Sequence, residues 1–281
     1  MKKIKIEDKL SLRNEGKLEI VFIGSGTAFS ESLGNNNIII IKGDTHILVD
    51  FGLTAPFALK PVTGVDILDI ENVLPTHSHS DHIGGLEYLT LKNRYFGQPN
   101  GKPRLTMIIP DEYRNVLWEE SLKGGLRYNE LGKYENEMSF DSYFDYVTPE
   151  LIKKDGRVKH HINFKGINLE FFHTNHIPGQ AVKTEDAFIT YGLLIDSKVF
   201  FSGDTKFDKE LIDEYEDKAE YFFHDCSFAP NPVHADIDSL RTLPEDLKKK
   251  IILMHYGDDY ANHDHIDFYG LAVPGVRYIF D

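Results

Sequence analysis

Residues 75–85 read Pro75-Thr76-His77-Ser78-His79-Ser80-Asp81-His82-Ile83-Gly84-Gly85. Four side chains able to bind a metal fall within six positions. The apolar run Glu71–Leu74 precedes them and reads as a strand. The pattern 83–95, with Leu86, Tyr88 and Leu89 on one side, reads as a helix after them. The cluster therefore occupies a strand-to-helix loop. His77 and His79 alternate around Ser78, so extended backbone points them the same way. Asp81 and His82 follow once the chain turns and face a second position. Imidazole and carboxylate ligands suit Zn²⁺ or another borderline divalent ion. A solvated polar loop is the plain alternative. The strand before, the glycine pair after and the acid in the middle favour a site.

The surrounding chain sets the scale. It has 281 residues, with 31 Lys+Arg against 45 Asp+Glu and a formal net charge of −14. At 41% hydrophobic it carries enough apolar side chains for a large core, which excludes a disordered or fibrous class. We expect one domain over 1–281. Cys226 is the only cysteine, so no intramolecular disulfide forms and a reducing, cytoplasmic setting is expected. The start, Met1–Lys9, is basic without an apolar stretch and does not read as a secretory signal. No run approaches the roughly 18 apolar residues of a membrane span. The acidic balance weighs against long nucleic acid, whose binding depends on Lys and Arg.

Strands are expected at Leu18–Gly24, Ile38–Ile41, Ile47–Asp50, Leu105–Ile109, Leu169–Thr174, Phe188–Ile195, Lys198–Ser202, Tyr221–His224 and Ile251–Met254. Helical stripes lie at 112–122 and 206–218. Two strand-rich blocks, each followed by helices, predict two packed sheets with helices outside. The stretch 123–158 is acidic, Gly-containing and aromatic (Tyr128, Tyr134, Phe140, Tyr143, Phe144, Tyr146). It reads as an insertion acting as a lid on a site rim, as a subunit contact, or as a plain surface excursion with its own small core.

The opening segment resembles the H-x-H-x-D-H signature of the metallo-β-lactamase-fold superfamily. The resemblance runs over about 18–279 and implies an αββα sandwich, two mixed sheets packed face to face with helices outside. It further implies that Asp50, ending a strand in Leu48-Val49-Asp50-Phe51-Gly52, orients a ligand histidine. A third histidine ligand should end a strand of the second half. The run Phe171-Phe172-His173-Thr174-Asn175-His176-Ile177-Pro178-Gly179 offers His173 and His176, and His176, beside Pro178, is preferred. Ser202-Gly203-Asp204-Thr205 supplies a bridging Asp204, and Leu253-Met254-His255-Tyr256 a final His255. The implied arrangement is two divalent ions, zinc first with manganese as the alternative. One is held by His77, His79 and His176, the other by Asp81, His82 and His255, with Asp204 shared. Paired cations activate a bridging hydroxide, and Asp81 is a candidate to accept its proton.

Further segments resemble the ribonuclease Z group and its smaller phosphodiesterase relatives. Ile23-Gly24-Ser25-Gly26-Thr27-Ala28-Phe29 is similar to that group's opening turn. His224-Asp225-Cys226-Ser227-Phe228 is similar to its H-E-A-T-F segment, with Asp225 in place of glutamate. His234, 21 positions before His255, then falls where the group keeps a proton donor. Asp225 and His234 are thus candidate catalytic residues with Asp81. The tRNA-binding arm is missing, because His176 and Asp204 are only 28 positions apart and two strands must fit between them. The resemblance implies a hydrolase of small phosphodiesters such as cyclic nucleotides, like armless relatives that include phage-borne enzymes destroying cyclic-nucleotide immune signals. Rival readings are a tRNA 3′-processing endonuclease, a lactone or ester hydrolase, and a metal-holding sensor. Such relatives imply a homodimer without membrane attachment. Asn262-His263-Asp264-His265 and His160-His161 read as polar surface segments.

Overall fold

The computed structural model describes residues 1–130 and 137–281. Tyr134, one of the aromatic residues of the 123–158 stretch, lies outside the described residues. Seven strands come first: β1 (Lys2–Lys5), β2 (Leu18–Gly24), β3 (Asn37–Lys42), β4 (Thr45–Val49), β5 (Asn72–Leu74), β6 (Leu105–Ile108) and β7 (Phe144–Val147). Eight more follow: β8 (Glu150–Lys153), β9 (Lys159–Phe164), β10 (Ile167–His173), β11 (Tyr191–Ile195), β12 (Val199–Phe201), β13 (Tyr221–Asp225), β14 (Ile251–Met254) and β15 (Gly270–Leu271). The last, β16 (Val276–Phe280), returns to the first sheet.

Each sheet has eight strands, in the orders β1-β16-β2-β3-β4-β5-β6-β7 and β15-β14-β13-β12-β11-β10-β9-β8. Both are mixed. Pairing is parallel from β4 to β7 and from β12 to β15, and antiparallel elsewhere. The central strands are apolar without alternation because both faces are covered. Ile38–Ile41 and Ile251–Met254 are wholly buried. One core joins the sheets, with Ile20, Phe22 and Ile40 from the first meeting Phe223, Ile252 and Met254 from the second. The Phe22 and Phe223 rings lie 5.0 Å apart across the interface. The helix Ala55–Thr63 packs outside the first sheet through Ala55 and Leu59. The helix Lys209–Tyr215 covers the second through Leu211, Ile212 and Tyr215, over Phe172, Phe200 and Phe222. This is the αββα sandwich expected above.

Part of the 123–158 stretch is framework. β7 edges the first sheet and β8 edges the second, so the chain changes sheets between Val147 and Glu150. Phe140, Tyr143 and Phe144 are buried in the shared core beside Trp118 and Leu126, while Tyr128 is exposed. Among the described residues no helix is long and apolar enough to cross a membrane.

Candidate metal centre

The site stands where the parallel strands end, since loops leaving the carboxyl ends of such strands converge. β4 runs into Asp50, which takes a left-handed φ of 61°. Its Oδ1 accepts the Thr76 N–H at 2.7 Å, and its Oδ2 accepts the Thr76 hydroxyl at 2.7 Å. The same Oδ2 lies 2.7 Å from His82 Nδ1. The buried carboxylate thereby sets the ring so that Nε2 faces inward. After β5, His77 to His79 run into the start of a helical turn, and His79 is extended at φ −72°, ψ 151°. The turn Ser80–Ile83 then swings Asp81 and His82 to a second position. Gly52 makes room for this turn, because a Cβ there would stand 1.8 Å from the Asp81 carbonyl oxygen.

The second sheet delivers the rest. His176 follows β10, Asp204 follows β12 and His255 follows β14. His176 Nδ1 donates to the Val233 carbonyl at 2.8 Å, turning Nε2 to the cluster. Ligand atoms of His77, His79, His176 and Asp204 lie within 4.8 Å of one another, as do those of Asp81, His82, Asp204 and His255. The two groups share Asp204. They make a site for two metal ions.

The geometry suits divalent cations. His82 Nε2 lies 3.2 Å from both Asp81 Oδ2 and Asp204 Oδ2, and His255 Nε2 lies 3.2 and 3.4 Å from the same atoms. Two ligand atoms about 2.1 Å from a tetrahedral ion stand about 3.4 Å apart. His77 Nε2, His82 Nε2 and both Asp204 oxygens are buried without a hydrogen-bond partner. Left so, such atoms cost free energy, and two ions, one in each group with Asp204 common to both, would satisfy all four. The electrostatics agree. Burial opposes charge on His255, but Asp204, Asp225 and Asp81 override it and push its pKa up to about 10. Burial likewise opposes charge on His82, and Asp204, Asp81 and Asp50 hold its pKa well above the ordinary value. Carboxylates this close together demand positive charge at one spot, which a cation supplies.

A third group adjoins the second cluster. Asp225 ends β13 and is fully buried. Its Oδ2 accepts the Thr205 N–H at 2.9 Å and lies 2.7 Å from His234 Nδ1. Its Oδ1 stands 3.5 Å from His255 Nδ1. The His234 ring stacks on His255 at 4.7 Å and tilts against His176 at 4.9 Å. Burial lowers the His234 pKa, and the Asp225 carboxylate more than reverses that, leaving it above the usual histidine value.

The residues preferred above as metal ligands and proton-transfer groups all come to this one place. His173 does not. It is half-buried on Tyr191, ring centroids 4.9 Å apart, outside the metal groups. His161 is exposed, and His160 Nε2 lies 3.0 Å from Glu112 Oε1. His263 stacks flat on Phe228, 4.8 Å between centroids and 4° between planes, away from the metal groups. Sequence reading missed Thr76 and Asn37. Asn37 donates to the Asp81 carbonyl at 3.2 Å and accepts the Gly52 N–H at 2.9 Å, tying two site loops together. Asn35, Asn36 and Asn37, the last opening β3, are all buried.

Known proteins agree with this geometry. A family description for the anti-Pycsar protein Apyc1 matches residues 18–278. An anti-Pycsar protein Apyc1 of Paenibacillus xerothermodurans is 35% identical over 246 residues, covering 86% of this chain and 89% of its own. One from Bacillus phage 010DV004 is 34% identical over 248 residues, covering 86% and 90%. The solved structure of the metallo-β-lactamase fold protein YhfI from Bacillus subtilis superposes with a TM-score of 0.67 at 15% identity, covering 94% of this chain and all of that one. With the metallo-β-lactamase fold and the paired metal groups already in place, the match over most of its length makes this chain a member of the anti-Pycsar Apyc1 family.

Proposed function

We propose that this metallo-hydrolase cleaves a small phosphodiester, a cyclic nucleotide first among them, with His234 giving its proton to the oxygen that leaves. The observation that carries this reading is the His234–Asp225 pair, 2.7 Å apart and stacked against two residues of the metal groups. A ribose oxygen is a poor leaving group until protonated, whereas an activated ester needs no such donor. In this reading His77, His79, His176 and Asp204 hold one ion, and Asp81, His82, Asp204 and His255 the other. Zinc is our first assignment and manganese the alternative. Two bound cations supply Lewis acidity and a nucleophilic water at neutral pH. The chain's own work is to orient and to move protons. Asp50 fixes His82, the Val233 carbonyl fixes His176, and Asp225 holds the His234 Nδ1–H so that Nε2 serves the substrate. In this reading Asp81 would also accept a proton from the water.

The net charge of −14 supports a compact substrate over tRNA, since a polyanion needs a broad basic face. The relatives' anti-Pycsar name, and their presence in Bacillus phages, fit an enzyme that removes a cyclic-nucleotide defence signal. The reading includes a homodimer, for which the exposed Leu53 and Phe57, lining one groove, offer apolar contacts. It also includes a reducing cytoplasm, which the free, buried Cys226 fits.

The test is a panel of 2′,3′- and 3′,5′-cyclic nucleotides, pre-tRNA and a lactone, each with Zn²⁺ or Mn²⁺. Turnover of cyclic nucleotides is expected. Turnover of pre-tRNA or lactone alone sinks the reading. His234→Ala should lower kcat on the cyclic nucleotide about 100-fold or more, and on bis(p-nitrophenyl) phosphate less than about tenfold. Equal losses on both would remove His234 as the acid.

A further inference from the structure

The turn carrying Asp204 continues into Lys206, a half-buried lysine that the site described above leaves unused. Its ammonium donates to three backbone carbonyls, Pro178 at 3.2 Å, Gly179 at 2.8 Å and Ala181 at 2.7 Å. Its own N–H donates to the Asn175 carbonyl at 2.8 Å. An ammonium has three protons, so its whole donor capacity goes to one loop.

That loop, 177–188, begins directly after His176. It closes through the Phe188 N–H to the Ile177 carbonyl at 2.8 Å and the Ala181 N–H to the Pro178 carbonyl at 2.9 Å. It has almost no core of its own, since Ala181 is its one buried side chain. It leans on the opposite wall, where a Cβ added at Gly179 would lie 3.4 Å from Pro232, two residues before His234. Two large apolar side chains stand out from it, Val182 at 83% and Phe188 at 66% exposure. A loop without a core holds its shape only through such fixed polar contacts. A charged donor shared among three carbonyls is a strong form of them.

We infer that Lys206 is a positioning residue: it clamps 177–188, the loop between His176 and the His234 segment, so that the exposed Phe188 on its rim receives the nucleoside part of the substrate. This rests on the phosphodiester reading above. The metal groups hold the phosphodiester, which every substrate of that class shares. The clamped rim then decides how tightly the remainder is held. Its loss should appear in KM and leave kcat alone, because the rim touches no reacting atom.

The experiment uses the metal-loaded full chain and Lys206→Met, which keeps the stem and removes the three donors. Amide exchange over 177–188 should rise about tenfold or more, with Tyr191–Ile195 unchanged. Bound metal should stay the same. KM for the cyclic nucleotide should rise about fivefold or more at a kcat within about twofold, while KM for methyl p-nitrophenyl phosphate, which has no nucleoside, stays put. Phe188→Ser should raise KM in the same way without raising exchange. Unchanged exchange in Lys206→Met overturns the clamp. Raised exchange with unchanged KM, or unchanged KM in Phe188→Ser, overturns the role in substrate binding. Loss of kcat together with metal would assign Lys206 to the Asp204 turn instead. If the wild type ignores cyclic nucleotides, the function reading fails by itself. The exchange arm still reads the clamp, and the KM arm runs on whichever panel substrate is hydrolysed.

Discussion

Asp225 serves two rings with one carboxylate. Oδ2 binds the Thr205 N–H and His234, and Oδ1 faces His255. Aspartate reaches one methylene less than the glutamate of the resembled motif, yet His234 Nδ1 still comes to 2.7 Å. The loop bends to meet it, with Asn231 Oδ1 accepting the N–H groups of Val233 and His234 at 3.0 and 3.2 Å. The consequence is a pH profile. A proton donor works only while protonated. Burial alone lowers the His234 pKa, and the Asp225 charge raises it above the ordinary value. The donor therefore holds its proton to higher pH than an ordinary histidine, and kcat falls on the alkaline side as pH passes the raised pKa. In Asp225→Asn the acceptor remains but the charge is gone, so the burial effect prevails. The alkaline limb of kcat should move to lower pH. Profiles of both enzymes on one cyclic nucleotide check this, and coincident limbs would assign the alkaline pKa to another group. The motif made this pair legible. Thr76 and Asn37 were not legible in the same way, because each earns its role from a partner 26 or more residues away.

At the scale of elements, legibility followed burial on both faces. Leu18–Gly24 and Ile251–Met254 are strands at the expected bounds, since a continuous apolar run between polar residues has one good home in a covered sheet. The edge strands β7 and β8 read FDYV and ELIK and are mostly exposed, so no run betrayed them and they passed for an insertion. The helix Ala55–Thr63 was not anticipated, and it carries Pro56 and Pro61, which weaken a helical signal in sequence. Pro56 sits in the first turn, where no N–H is needed. The expected 112–122 helix begins at Asp111 and continues past Val116 as a wider π-helical turn over Leu117–Leu122. Glu112 in its first turn ties it to the second sheet. One oxygen accepts the Tyr191 hydroxyl at 2.9 Å and stands 3.0 Å from His160 Nε2. Burial disfavours the carboxylate, and His160 and Tyr191 outweigh it, holding the pKa at about 2 against an ordinary 4.5. A depressed folded pKa gives stability that is full above pH 4.5 and lost as pH falls towards 2. The side chain is 40% exposed, so solvent screening leaves about 1 kcal/mol. Glu112→Gln should lower the unfolding free energy from urea titrations by that amount at pH 7, and the two curves should converge near pH 2. A constant gap down to pH 2 would mean the charge contributes nothing.

The whole molecule divides its site between two sheets. Asp50 and the 76–82 loop hang from the first, and His176, Asp204, Asp225 and His255 from the second. The repeating rhythm of strands and helices made the sandwich legible. The return of β16 to pair with β1 and β2 was not, because nothing local in Val276–Phe280 distinguishes one sheet from the other. The divided site has a thermodynamic consequence. Two cations bound between the sheets act as clamps that the unfolded chain cannot form, since their ligands then lie up to 178 positions apart, from His77 to His255. A ligand at a thousandfold its Kd stabilises by about 4 kcal/mol. For a chain of this size that corresponds to on the order of 10 °C in Tm. Chelator-stripped protein should therefore melt about 10 °C lower than the loaded form, and added Zn²⁺ should restore the difference. Asp204→Ala should melt near the stripped protein and ignore added Zn²⁺, because both groups lose their shared oxygen donor. Calorimetric scans of the four samples decide the matter. Coincident melting of stripped and loaded wild type would show that the paired groups hold no ion tightly. A Zn²⁺ response surviving in Asp204→Ala would show that the two sites do not depend on one bridge.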